Sequence, residues 1–184
     1  MFVTYARCIH NRGMNSSNVA NLLGAFGLLL SDAVGSALAD SGQEPASMTA
    51  LVHLSKYPGE NIDRLRGPLG LSHSGCVRLV DRIAAAGYVV RDKAPDGRSV
   101  AVRLTRKGRD AAAGSLRRRG DWLSRSLRSL SAEEQDTLGR LLAKVLSFEV
   151  SNASQALRVC RACDYRACTQ CPVAETLRAA EPEA

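Results

Sequence analysis

The sequence predicts a mainly α protein with a small β-hairpin wing, a winged helix-turn-helix in a dimeric arrangement. Three observations lead there. The first is a pair of short helical segments joined by a Gly-containing turn, Leu69-Gly70-Leu71-Ser72, and followed at once by two short β-patterned segments. The second is where the charge lies. The 184 residues carry a net +7, but residues 61–125 hold 15 Lys and Arg against 6 Asp and Glu, a net +9; the remainder holds 10 against 12, a net −2. A basic middle in a near-neutral chain points to an anion-binding surface, most often one for nucleic acid. The third is that aromatics are only 4% of residues, so the core must be built from Leu, Ala and Val, which favours helices. At 45% hydrophobic and 23% charged, the composition excludes wholesale disorder, and the length suits one compact domain with appendages.

Residues 1–17 show no periodicity and read as a flexible N-terminal segment, with Met14 a second candidate for the start of translation. The next segment, 18–45, reads as a dimerisation helix, helical over roughly 18–40. Leu22, Leu23, Phe26, Leu29, Leu30, Ala33, Val34, Ala37 and Leu38 step by 1 or 3 and keep one face apolar. Its apolar run Val19–Leu30 is broken by Asn21 and glycines and is too short to span a bilayer. Arg7 and Arg12 ahead of it and Ala37-Leu38-Ala39 beyond it resemble a signal peptide. The apolar face runs straight through that would-be cleavage site, so the reading is a cytoplasmic protein with no membrane segment.

Residues 46–104 read as the winged module. Pro45 sits where a helix can begin, and 46–56 carries Met48, Leu51, Val52 and Leu54. Pro58-Gly59 turns the chain. A short helix over about 60–67 buries Ile62 and Leu65, and Pro68 is expected to stop it. Ser72 caps the next helix, about 73–87, whose core face is Cys76, Val80, Ile83, Ala84 and Gly87. Tyr88–Arg91 and Ser99–Leu104 then flank the Pro-Asp-Gly chemistry of Ala94–Gly97, a hairpin signature. Val100, Val102 and Leu104 alternate with Ala101 and Arg103, as a half-buried strand does.

Residues 105–150 complete the dimerisation domain. Thr105 caps a long helix to about 129 with a stripe of Ala112, Leu116, Leu123, Leu127 and Leu130. Ser131-Ala132-Glu133-Glu134 is a capping box that opens a further helix with Leu138, Leu141, Leu142, Val145 and Leu146 on one face. One small winged module cannot cover the apolar faces of both 18–40 and 131–150. Packing them across a two-fold axis buries both and spaces the recognition helices about one DNA turn apart. The last segment, 151–184, reads as a polar connection, a cysteine cluster and a tail that frays.

A helix in the major groove presents its outward side chains to base edges. On the helix over 73–87 these are His73, Ser74, Val77 and Arg78, with Arg78 suited to a bidentate contact to guanine and Val77 to a thymine methyl. Arg82 suits a phosphate, and Ser72 with the helix N-terminus suits another. The wing offers Arg91, Lys93 and Arg98, the last with Asp96 two positions away to orient it. Cys76 reads as a small core residue.

The run Leu71-Ser72-His73-Ser74-Gly75-Cys76-Val77-Arg78-Leu79-Val80-Asp81-Arg82, then Ala86-Gly87-Tyr88-Val89, Asp96-Gly97-Arg98 and Leu104-Thr105-Arg106-Lys107-Gly108 resembles the MarR family of bacterial transcription regulators. The resemblance covers roughly 18–150 and includes the order of elements. It implies a homodimer in which the first and last helices pair between subunits, and two winged modules on a roughly palindromic double-stranded DNA operator. It also implies release from DNA by a small-molecule or redox effector. Most members of the family lack a C-terminal cysteine cluster.

That cluster is Cys160-x2-Cys163-x4-Cys168-x2-Cys171-Pro172. Two Cys-x2-Cys pairs can grip one metal from tight turns, and four thiolates suit a structural zinc. The Cys163-x4-Cys168-x2-Cys171 spacing equally suits an iron–sulfur cluster, and metal-free redox thiols are a third reading. Arg158, Arg161 and Arg166 would offset the negative charge of a four-thiolate site.

The sequence therefore points to a DNA-binding regulator, a repressor, with a cysteine site that is structural or redox-sensing. The alternative is a thiol or iron–sulfur redox protein that uses the winged domain as a protein-docking scaffold. An enzyme is not expected: there is no Ser-His-Asp order, phosphate loop or His-rich site, and His10, His53 and His73 are scattered.

Overall fold

The computed structural model describes residues 15–39, 44–93, 100–167 and 171–179. Eight helices and one hairpin occur among them: α1 (Ser16–Ala39), α2 (Pro45–Lys56), α3 (Ile62–Leu69), α4 (His73–Ala85), β1 (Val89–Lys93), β2 (Val100–Leu104), α5 (Arg106–Leu127), α6 (Ala132–Glu149), α7 (Ala153–Cys160) and α8 (Pro172–Ala179). This is a winged helix fold, mainly α with a small hairpin.

Local chemistry sets most boundaries. Asn61 caps α3 by accepting from the Arg64 amide at 3.0 Å. Pro68 does not stop α3 as expected but lies inside its last turn. The stop is Gly70, left-handed at φ 66°, whose amide bonds back to the Arg66 and Gly67 carbonyls. Ser72 then caps α4, accepting from the Gly75 amide at 3.1 Å. The helix ends at Ala85, sooner than expected. Gly87, left-handed at φ 76°, turns the chain into β1 and stands outside the core. The core face of α4 is Cys76, Leu79, Val80 and Ile83, so Leu79 joins the expected set.

These residues close a core with Met48, Leu51 and Leu54 of α2, Leu65 of α3, Val89, Val102 and Ala112. The strands pair antiparallel from Val89↔Leu104 to Lys93↔Val100. The expected alternation along β2 breaks at its start: Val100 is 48% exposed, whereas Ala101 and Val102 are both fully buried. Val100 lies out on the wing. At Val102 the strand enters the body, where its amide donates to the Glu60 carbonyl at 2.9 Å and its carbonyl accepts from the Gly59 amide at 3.1 Å. That short segment is anchored in turn by His53, buried on α2, whose Nε2 is 2.8 Å from the Glu60 carboxylate.

Thr105 starts α5 as expected. Its hydroxyl accepts from the Gly108 amide at 3.1 Å and donates to the Gly87 carbonyl at 2.7 Å, joining the end of the wing to the turn after α4. Along α5, Ala112 is buried and Leu116 packs on the core, but Leu127 is 36% exposed. The capping box at Ser131 and Glu134 opens α6 with both of its bonds present.

The reading of 151–184 as a polar connection and a fraying tail is corrected over the described part. Two helices form there, and they close a second small core of Val150, Ala156 and Val173 with Leu146, Cys160 and Cys171 against it. Asn152 caps α7. The three core residues are too far apart in sequence to leave a local pattern, which is why composition alone suggested no fold. Helix α7 packs on α3, and α8 packs on α7 and α6.

Two helices remain bare in the single chain. No residue of α6 is buried, and Leu141, Leu142, Val145 and Phe148 are exposed. On α1, Leu22, Leu23, Phe26 and Leu29 are all about half exposed. Residues Ser16–Ser36 have a mean hydropathy of 1.4 and are long and apolar enough to cross a membrane by length and composition. In the fold, α1 packs on α2 and α5, and Val34 lies against the main core.

Candidate nucleic-acid interface and cysteine site

The outward face of α4 is open. Ser72, His73, Ser74, Arg78 and Arg82 are exposed and Val77 is half-buried. The same capping that makes α4 a helix fixes Ser72 at its start, so its hydroxyl is engaged with the Gly75 amide and lies 3.3 Å from that of Ser74. His73 Nδ1 is 3.1 Å from the Asp63 carboxylate of α3. Arg82 Nη1 is 2.6 Å from Glu44, just before α2. Among the described residues Arg78 carries no ion pair. It is therefore the cation on this face whose charge and five donors are wholly available to a partner.

On the wing, Arg91 and Lys93 are exposed, and Arg91 Nη2 is 2.6 Å from Asp81 of α4. That bond ties the wing base to the helix. Asp96 and Arg98 lie outside the described residues. The structure thus brings His73, Ser74, Val77, Arg78 and Arg82 to one face, and sets Arg91 and Lys93 on the adjoining strand.

The carboxylates beside three of these side chains, Asp63, Glu44 and Asp81, were not identified from the sequence as their partners. Their spacings, 10, 38 and 10 residues from their partners, fall outside the i,i+3 and i,i+4 pairs that a sequence reveals.

Cys76 faces the core from the inner side of α4, and burial pushes its thiol above the ordinary range. It is a packing residue.

Three of the four clustered cysteines are described: Cys160, Cys163 and Cys171, all free thiols. Cys168 lies outside the described residues. The Cys163 amide bonds to the Cys160 carbonyl at 3.0 Å, closing the turn that a Cys-x2-Cys pair uses. Cys163 Sγ lies 3.9 Å from the Val159 carbonyl. The adjacent Cys160 thiol lowers Cys163 to about 6, with help from the Arg119, Lys56 and Arg161 cations. Cys160 is raised by the adjacent Cys163 thiol, by burial and by Cys171. Cys171 immediately precedes α8, whose N-terminal end favours negative charge. Cys160 and Cys163 are soft donors on one turn with cations nearby, which suits one half of a four-thiolate zinc or iron–sulfur site. Among the described residues, however, no three His, Cys, Asp or Glu side chains stand in the arrangement of a metal site.

A cavity of about 990 Å³ lies between α5, the base of β2 and the cysteine segment, lined by Leu54, Arg103, Leu116, Arg117, Asp121 and Tyr165 among others. No local sequence pattern signals it, because its walls come from four separate stretches of chain.

No family model matches the sequence, and no curated protein matches it. Solved structures do. A MarR family protein from Bacillus stearothermophilus is 27% identical, with a TM-score of 0.65 over 72% of this chain and 95% of that one. A transcriptional regulator of the MarR family from Rhodococcus sp. RHA1 is 24% identical, with a TM-score of 0.57 over 73% and 96%. The wild-type MarR of E. coli in its apo form is 23% identical, with a TM-score of 0.61 over 74% and 99%. The fold is therefore that of the MarR family. Each neighbour is spanned almost whole, while about a quarter of this chain lies outside the shared fold.

Proposed function

From a winged helix of MarR type, we propose a dimeric DNA-binding transcription regulator that acts as a repressor on a pseudo-palindromic operator in the cytoplasm. The observation that carries this is the open face of α4, with Arg78 unpaired among the described residues, on a fold whose solved neighbours include transcriptional regulators. Arg78 reads guanine, and Val77, Ser74 and His73 complete the base-edge face. Arg82, Lys93 and the helix N-terminus at Ser72 meet phosphate. Arg91 and the Asp96–Arg98 tip place the wing against the minor groove. The bare faces of α1 and α6 are the surfaces a second copy covers.

The same reading gives the C-terminal cysteines to a metal. Cys160, Cys163, Cys168 and Cys171 would hold zinc, with an iron–sulfur cluster as the alternative occupant. The adjacent Cys160 and Cys163 thiols and the flanking Lys56, Arg119 and Arg161 support this. A metal held by the four thiolates would supply a cross-link between the two Cys-x2-Cys pairs. The residues around it supply charge balance and hold the thiolates in place.

Operator binding tests the main reading. Operator selected from random duplexes should bind the wild-type protein and not the Arg78→Ala, Arg98→Ala double variant. Equal binding by both would overturn it. Rapid redox cycling with no DNA affinity at modest salt would favour a redox protein with the winged domain as a docking scaffold. Metal content of protein purified without air decides the occupant: one zinc per chain, or iron with sulfide.

A further inference from the structure

His73 is the first residue of α4, at the end that meets base edges when such a helix lies in the major groove. Its side chain is open to solvent, yet one ring nitrogen is already engaged. Nδ1 is 3.1 Å from Oδ1 of Asp63, on the preceding helix α3. The same oxygen lies 3.4 Å from Nε of Arg66, one turn further along α3. The carboxylate thus stands between two donors. From the other elements around α4, Glu44 and Arg91 meet Arg82 and Asp81, more than two turns beyond His73, and Arg158 of α7 lies against Gly70 in the α3–α4 turn.

An ionised carboxylate has no proton to give, so the hydrogen in the Asp63–His73 contact belongs to the imidazole. Nδ1 of His73 therefore carries a proton whether the ring is neutral or charged, and it is Nε2 that changes character. In the neutral ring Nε2 is a bare acceptor, and in the imidazolium it is a donor. The major groove distinguishes the two. An acceptor takes an amino hydrogen from N6 of adenine or N4 of cytosine, whereas a donor takes N7 or O6 of guanine or O4 of thymine. The pair is worth little to folding, because the His73 and Asp63 side chains are 61% and 67% exposed. Its consequence lies in the sense of the hydrogen bond that His73 offers.

We propose that Asp63 is a positioning residue for base reading: by holding a proton on Nδ1 of His73 it makes the neutral ring an acceptor for an adenine or cytosine amino group, and protonation of the ring turns the same contact toward guanine or thymine. This rests on the reading of the chain as a DNA-binding regulator with His73 on its base-edge face. No movement of the helix is required. The preference at one base pair of each half-site follows the charge of one side chain.

The test uses the full chain as wild type, as His73→Ala and as Asp63→Ala, with two measurements. The first needs no DNA. Proton–nitrogen correlation spectra of protein labelled in its histidine nitrogens show which ring nitrogen is protonated, and the signal missing from His73→Ala is that of His73. Expected is the Nδ1–H form in the neutral wild type and a shift toward the Nε2–H form in Asp63→Ala. The second is competition among selected-operator duplexes substituted at each base pair, at about pH 7.5 and at about pH 5.5. The position whose preference disappears in His73→Ala is the one the ring reads. There the wild type should favour adenine or cytosine on the contacted strand about fivefold at the higher pH, the worth of one neutral hydrogen bond, and should move toward guanine or thymine at the lower. Asp63→Ala should lose this preference while keeping those at other positions. An Nε2–H ring in the neutral wild type would overturn the proposal. So would a preference at that position that Asp63→Ala retains or that pH leaves unchanged, or a selective protein in which no position depends on His73. The Nδ1–H form with no selective binding of any duplex would leave the hold of Asp63 on the ring standing and sink the regulator reading, and base reading with it.

Discussion

Arg78 and Arg82 sit four residues apart on the same exposed face of α4, yet their surroundings differ. Arg82 is held 2.6 Å from Glu44, and Arg78 has no such partner among the described residues. A bidentate Arg–guanine contact is worth about 1–3 kcal/mol of discrimination. Arg78→Ala should therefore lose roughly that much preference between the operator and a base-substituted duplex in competition binding. Arg82→Ala should weaken both duplexes alike. Equal loss on both duplexes for Arg78→Ala would move Arg78 to a phosphate role. Stability has its own single-residue test. A Cβ on Gly108 would overlap the Tyr88 carbonyl oxygen, where α5 crosses the start of β1, so no flexible side chain can give way. Gly108→Ala should cost about 1–3 kcal/mol, read as a lower urea midpoint. Thr105→Ala should cost about 1 kcal/mol through the lost cap. Of these residues, Thr105 and Arg78 were legible in the sequence. Gly108 was visible only as part of the Leu-Thr-x-x-Gly pattern; the reason it must be glycine is a contact between residues 20 apart, which no local pattern carries.

The clearest element-scale feature is the pair of bare helices. Exposed Leu142 and Val145 of α6 stand at i and i+3, with Leu141 and Phe148 also bare, and no residue of the helix is buried. Leaving such a face in water is unfavourable by about 25 cal/mol per Å², which a second copy would recover. Leu142→Glu with Val145→Glu should convert the dimer to monomer in sedimentation analysis and reduce operator affinity with it, while the monomer keeps its helical circular dichroism. A dimer that survives both changes would place the interface elsewhere. The elements themselves were largely legible, because most are fixed by local chemistry: the caps at Ser72, Thr105 and Ser131, the hairpin, and the periodic apolar faces. Two of the failures share one cause. The strand entry at Val102 depends on Gly59 and Glu60, more than 40 residues earlier in the chain. Helices α7 and α8 depend on Val150, Ala156 and Val173 meeting across two turns. Both are tertiary arrangements, and a sequence window does not contain them.

At the scale of the whole molecule, the charge partition acquires a geometry. The 15 Lys and Arg of residues 61–125 do not all face one partner. Some are paired within the chain: Arg91 with Asp81, Arg82 with Glu44, and Arg103 Nε, 3.6 Å from Asp92. These pairs are exposed, so each is worth little to stability. They do reduce the cations free to displace counterions from DNA. The salt slope of operator binding should then be shallower than a count of basic residues suggests, at about 0.9 per phosphate met. Lys93 is exposed on β1 and has no ion pair among the described residues. Lys93→Ala should weaken binding to all duplexes uniformly and flatten the slope by about 1 per subunit. Arg91→Ala should do less, because its charge is already answered by Asp81 in the free protein. A slope that flattens as much on Arg91→Ala as on Lys93→Ala would contradict the pairing. Titrating operator binding of the three proteins between low and moderate salt separates these outcomes. It also distinguishes a surface arranged for DNA from one that is merely basic, since only the former makes the slope depend on which cation is removed.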